Sequence, residues 1–170
     1  WDYVIQFNNL LSPFPNLHVL QPNIQFFATH GVNSMFEQGN REVGGEFAAL
    51  RGYLISKLLW NPNENVDTLM NDFLGGVYGA ASKPIRQYID EMRDALLKSE
   101  KPLRIFGTPI EAAESYLTPA HIERYEKLFD QAEQLVADST QLLERVRIAR
   151  LPLEFAIMEQ AKKNFYGDHG

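Results

Sequence analysis

The spacing of apolar residues changes along the chain. Short runs at Trp1–Ile5 and Val32–Phe36 combine aromatic and β-branched residues, a composition typical of strands. From Glu46 onward, apolar residues recur at every third or fourth position, which indicates amphipathic helices. The pattern therefore predicts a mainly α chain that begins strand, helix, strand and continues as a run of helices. The clearest predicted helices cover Glu46–Trp60, Val66–Phe73, Ser82–Lys98 and Pro119–Val136.

Proline and glycine positions indicate where several helices begin and end. Pro22 fits the first turn of a short helix, and Gly31 fits its end. Pro152 either kinks the last helix or begins a further segment, Leu153–Phe165, because proline removes a backbone donor. The pair Gly75-Gly76 is expected to weaken the end of the second of the clear helices.

Composition restricts the class of protein. Hydrophobic residues make up 45% of the 170 residues, which is enough for a packed core. A net charge of −6 argues against a nucleic-acid partner, because phosphates require a basic face. The apolar runs are too short to span a membrane. Composition also changes near Asn61, so we predict an aromatic, glycine-rich part, residues 1–60, and a charged helical part, residues 61–170.

Cysteine and histidine usage limits the chemistry. The chain has no Cys, which excludes disulfides and thiol catalysis. The absence of Cys fits a cytoplasmic protein and fits equally an exported protein whose signal lies outside this chain. The strand-like opening at Trp1 indicates a start that is cut from a longer protein. No metal and no cofactor are expected, because no ligand-pair spacing occurs among His18, His30, His121 and His169.

Several short motifs occur in one collinear order over most of the chain. Among them are Trp1-Asp2-Tyr3, Pro13-Phe14-Pro15-Asn16, Phe36-Glu37-Gln38-Gly39, Leu59-Trp60-Asn61-Pro62 and the stretch Arg145–Leu153. In this order the chain resembles an uncharacterised family found beside glycoside hydrolases, the domain of unknown function numbered 4838. Such proteins look like relatives of the α-glucuronidase and hexosaminidase type of (β/α)8 barrel, followed by a helical region.

The resemblance implies an architecture and a function. It implies that residues 1–60 are the C-terminal end of a (β/α)8 barrel and that residues 61–170 are its helical extension. Trp1–Ile5 and Val32–Phe36 would then be strands seven and eight, and the first six strands are missing. Because such barrels assemble their active site from the ends of several strands, the chain is expected to be a catalytically incomplete fragment of a glycoside hydrolase or another carbohydrate-processing protein. Its expected partners are carbohydrate and the remaining barrel.

Candidate substrate-binding residues lie where the predicted strands give way to loops, and no residue is assigned a catalytic role. Two carboxylates can share glycosidic cleavage as acid and base, or acid and nucleophile. Alternatively, Asp2 and Glu37 accept hydrogen bonds from backbone amides in their own loops. Trp1 and Tyr3 could stack on a sugar ring or pack in the core, whereas Phe36 is expected in the core. The substrate-binding candidates are Asp2, Tyr3, Glu37 and Asn40.

Two further charged features have structural interpretations. Glu46 begins the clearest helix and is expected to interact favourably with its dipole. Arg145, Arg147 and Arg150 could bind an anion, but pairing with the surrounding acidic residues is the favoured interpretation.

Two other functions stay open at this point. The chain could bind glycan without turnover, or it could be a helical protein-interaction domain. The strand-like apolar start counts against a free-standing helical bundle. The number of carboxylates at strand ends separates the enzymatic function from these alternatives.

Overall fold

The computed structural model describes residues 1–39 and 44–166, and this part of the chain is mainly helical. Strand β1 (Asp2–Tyr3) is followed by helix α1 (Leu17–Thr29) and strand β2 (Glu37–Gln38). The remaining elements are helices, apart from a short 3₁₀ turn between α3 and α4. They are α2 (Ala48–Trp60), α3 (Val66–Tyr78), α4 (Ser82–Ser99), α5 (Pro109–Ala112), α6 (Pro119–Leu135) and α7 (Thr140–Tyr166). The predicted mainly α character is confirmed.

The four clear helices are present because their apolar faces are buried. The start of α3 is capped by the Asn65 side chain, which accepts a hydrogen bond from the Thr68 N–H at 2.8 Å. Its end was predicted too early, since α3 continues through Gly75-Gly76. Leu74 and Tyr78 lie one turn apart and are both buried, so tertiary packing outweighs the low helix propensity of glycine.

Proline positions misled one helix prediction and left a second one open. The helix α1 begins at Leu17, so Pro22 lies inside it and not in its first turn. The buried face formed by Leu17, Leu20 and Ile24 explains the earlier start, because burial of a continuous apolar stripe stabilises the extra turn. Of the two alternatives predicted at Pro152, a separate last segment is wrong, because α7 continues through this residue.

The second strand is displaced from its predicted position. Residues Val32–Phe36 form no strand, and β2 consists of Glu37–Gln38. Both Val32 and Phe36 are exposed, so no buried face selects a strand there. The two strands pair in parallel, with α1 in the connection between them, as in a βαβ unit. Two strands of two residues each do not establish a barrel, which stays a prediction, as does the division at residue 60.

A continuous apolar core holds the helices together. At its centre, the rings of Tyr88 in α4 and of Tyr125 and Phe129 in α6 are almost completely buried. The ring centroids of Tyr88 and Phe129 are 4.8 Å apart, and those of Tyr88 and Tyr125 are 5.1 Å apart. Residues from both predicted parts enter this core, for example Leu54 of α2.

A buried polar network connects α2 with the segment that follows β1. Arg51 donates to the Glu46 carboxylate at 2.6 Å, to the Phe14 carbonyl at 3.2 Å and to Asn16 Oδ1 at 3.2 Å. Asn16 in turn donates to the Val4 carbonyl at 3.0 Å. Burial raises the pKa of Glu46, and the adjacent guanidinium acts in the opposite direction. Glu46 lies before the start of α2 and forms an ion pair with Arg51. This ion pair takes the place of the expected interaction with the helix dipole.

Candidate functional site

The pairing of β1 with β2 brings two predicted site residues together. Asp2 lies opposite Glu37, and Tyr3 lies opposite Gln38. Neighbouring strands are about 4.7–4.9 Å apart, and side chains alternate between the two faces of a strand. Asp2 and Glu37 therefore lie side by side on one face. Glu37 lies within β2 and does not follow the end of a strand, which corrects its predicted placement.

The Glu37 carboxyl group is buried, and no hydrogen bond from the described residues offsets its loss of hydration. Both of its carboxylate oxygens are buried, and neither accepts a hydrogen bond from residues 1–39 or 44–166. Burial and, second to it, the nearby Asp2 carboxylate raise the pKa of Glu37 to about 7, against the opposing effect of the α-amino group of Trp1. Glu37 thus holds its proton over part of the neutral range. Backbone amides of the described residues do not anchor it.

The aromatic side chains next to this pair are exposed. Trp1 is 76%, Phe36 55% and Tyr3 45% exposed, so the expectation that Phe36 packs in the core is wrong. The Trp1 ring centroid lies 4.7 Å from that of Phe36 and 6.1 Å from that of Tyr3. The Trp1 indole also donates to the Gln38 side chain at 3.3 Å. These residues form an exposed aromatic row.

The predicted substrate-binding residues do not all share one surface. Alternation along the strands places Tyr3 on the face opposite Asp2 and Glu37, together with the aromatic row. Asn40 lies outside the described residues. The structure therefore groups Asp2 with Glu37 and separates Tyr3 from them.

The arginines between Arg145 and Arg150 have structural partners. Arg147 lies 3.3 Å from Glu133, and Arg150 lies 2.7 Å from Asp130, which confirms the predicted pairing with acidic residues. For Arg145 the predicted pairing is wrong, since within the described residues this side chain donates to the Val77 carbonyl at 3.0 Å and to no carboxylate. Within residues 1–39 and 44–166, no three His, Asp or Glu side chains are grouped as metal ligands. None of the helices in this part is long and apolar enough to cross a membrane.

Two buried polar residues were missed by reasoning from the sequence. Gln6 is 3% exposed and Arg51 is 2% exposed. Each follows an apolar stretch directly, Gln6 after Trp1–Ile5 and Arg51 after Leu50. A polar residue that continues an apolar run is a sequence signal for a buried hydrogen-bonding role.

The comparisons with known proteins give one match. The model of a family described as Domain of unknown function (DUF4838) matches residues 1–90. The matched part contains β1, β2 and the first three helices, and it therefore includes the Asp2–Glu37 carboxylate pair. Neither a curated protein nor a solved structure matches the chain.

Proposed function

Because the chain belongs to a family described only as a domain of unknown function (DUF4838), we propose its function from the site itself. It supplies a carbohydrate-binding surface to a carbohydrate-processing protein of the glycoside hydrolase type. The observation that carries this proposal is the parallel register that sets Asp2 opposite Glu37.

The chemistry of the pair suits sugar hydroxyl groups. With a pKa of about 7, Glu37 is partly protonated at neutral pH and can then donate a hydrogen bond. The Asp2 carboxylate accepts hydrogen bonds. A sugar hydroxyl both donates and accepts, so it matches a pair that offers one group of each kind. Adjacent carboxyl groups with a raised pKa at one of them also typify acid–base pairs in hydrolases.

Binding is proposed for this chain, and cleavage is not. The described residues contain two strands, whereas a barrel active site draws catalytic groups from several strand ends. We expect the purified chain to release no leaving group from a panel of chromogenic glycosides. Turnover that Glu37→Gln abolishes would contradict this part of the proposal and make the chain a complete enzyme.

The substitution Glu37→Gln tests the binding role. It keeps the side-chain volume and removes the ionisable group. We expect it to weaken binding of methyl glycosides at least about tenfold above about pH 7, where Glu37 is ionised, because the hydrogen bond from a sugar hydroxyl to a carboxylate then becomes one to a neutral amide. Ligand-detected NMR measures the affinity. Glu123→Gln, on the exposed side of α6, is the matched control and should leave binding unchanged.

Stability measured in parallel distinguishes a structural role. The folded-state pKa of Glu37 is raised from 4.5 to about 7. Its contribution to stability is therefore fully present below about pH 4.5 and is lost as the pH rises through about 7. Glu37→Gln should remove this decline, so the variant should melt no lower than wild type above neutral pH. A lower melting temperature with unchanged glycoside binding would make Glu37 a structural residue and overturn the proposal.

A further inference from the structure

A polar cleft of about 340 Å³ lies on a different part of the molecule from the Asp2–Glu37 pair. The connector between α4 and α5, the helix α5 and the end of α7 line it, and Gln6 contributes to its floor. Its volume is at the lower end of the range for small-molecule sites, which is about 300–1,000 Å³. The cleft is therefore large enough for a ligand of sugar or hydroxy-acid size.

The buried amide of Gln6 has an unmet hydrogen-bonding capacity. Gln6 is 3% exposed, and its Oε1 accepts no hydrogen bond from the described residues. Buried side-chain amides are nearly always hydrogen-bonded, because an unpaired one keeps its full desolvation cost. Since this residue lines the cleft and its Nε2 atom lies close to Gly107 of the same cleft, the amide can donate from Nε2 to a ligand hydroxyl there.

Polar atoms converge closely around Gly107, which is buried and has no side chain. A Cβ atom at this position would lie 3.1 Å from the Arg104 carbonyl oxygen, 3.4 Å from Glu111 Oε2 and 3.6 Å from Gln6 Nε2. These atoms come from three separate segments. The part of the cleft lining around Gly107 is therefore polar.

The charges around the cleft favour a monovalent anion. Three cationic side chains, Lys101, Arg104 and Lys163, and two carboxylates, Glu111 and Glu114, line the cleft, an excess of one positive charge on a chain of net charge −6. Lys101 is paired with Glu114 at 2.5 Å, and Glu111 accepts the Thr108 N–H at 3.1 Å. The Arg104 guanidinium is exposed and makes no ion pair within the described residues. It is the cation best placed to meet an incoming carboxylate.

We propose that this cleft binds a small monocarboxylate that carries hydroxyl groups. The carboxylate contacts the Arg104 guanidinium, and a hydroxyl accepts a hydrogen bond from Gln6 Nε2. This site is independent of the proposed function, because neither Asp2 nor Glu37 lines it.

Three probes of matched size test the proposal on the purified chain. Gluconate has the carboxylate and the hydroxyls, sorbitol has the hydroxyls alone, and hexanoate has the carboxylate alone. Calorimetry should show binding of gluconate, with sorbitol and hexanoate at least about tenfold weaker, because each lacks one of the two contacts. Failure of gluconate to bind, or equal binding of the three probes, overturns the proposal.

Two substitutions assign the contacts. Arg104→Gln and Gln6→Leu should each weaken gluconate binding at least about tenfold. Lys98→Gln removes the same charge from an exposed position outside the cleft and should leave binding unchanged.

Gln6→Leu should keep or raise the melting temperature, because it removes a buried amide without a partner. If Gln6→Leu does not fold, Arg104→Gln still tests the proposed binding site, since the exposed Arg104 side chain is not needed for folding. Unchanged gluconate binding in Arg104→Gln overturns the assignment.

Discussion

Replacing Arg51 with Met is expected to lower the free energy of unfolding by about 3–5 kcal/mol at neutral pH. The side chains of Arg51 and Glu46 are 3% and 4% exposed and lie 2.6 Å apart. The substitution leaves the Glu46 carboxylate buried without its cation and removes the donor to the Phe14 carbonyl. An unpaired buried charge costs far more than the loss of an exposed ion pair. Urea unfolding of both proteins measures the difference.

The control substitutions and the pH dependence identify the cause. Lys127→Met breaks the exposed ion pair with Glu123 and should change stability little. The double variant Arg51→Met/Glu46→Leu should recover part of the loss, because no buried charge remains. In Arg51→Met, burial raises the pKa of Glu46 without the opposing effect of the guanidinium. The folded state then binds the proton more tightly, so the deficit is largest at high pH and shrinks as the pH falls toward about 4.5. A loss that is independent of pH would exclude this explanation.

Phe129→Ala is expected to cost about 3–5 kcal/mol of unfolding free energy, because it opens a cavity in the centre of the core. Phe129 is 1% exposed, and its ring lies against that of Tyr88 where α6 packs on α4. Urea unfolding again gives the magnitude. A cost below about 1 kcal/mol would mean that the packing of α6 on α4 differs from the one described.

Tyr125→Phe is the matched control within the same aromatic cluster. The Tyr125 hydroxyl is buried and has no hydrogen-bond partner among the described residues. Its removal should therefore leave stability within about 1 kcal/mol of wild type, or raise it. A large loss in this variant would show that the hydroxyl has a partner after all.

The helices could be predicted from the sequence, but several of their ends could not. Helical spacing of apolar residues sets which faces become buried, so α2, α3, α4 and α6 followed from the pattern. The segments that pack against each helix determine where that helix begins and ends. The burial of Leu74 and Tyr78 extends α3 beyond the glycine pair Gly75-Gly76. The burial of Leu17 starts α1 early enough that Pro22 lies inside it. Local propensity does not contain this tertiary information.

The candidate site was predicted in part for a similar reason. Asp2 and Glu37 were identifiable because each adjoins a strand-like run. Their register could not be predicted, since it depends on pairing between residues far apart in the chain. The same holds for the exposure of Phe36 and for the cleft that joins Gln6 to Arg104. Contacts of this kind form only when distant segments meet.

The most direct test of carbohydrate recognition is an NMR titration of the Glu37 carboxyl carbon, with and without methyl glycosides. In the free chain, Glu37 should titrate with a pKa of about 7, and Asp2→Asn should lower this value by removing the neighbouring charge. At least one glycoside should shift the Glu37 signal and its pKa, because a sugar hydroxyl then contacts the carboxyl group. A Glu37 pKa near the ordinary 4.5, with a signal that no glycoside moves, would contradict the proposed function.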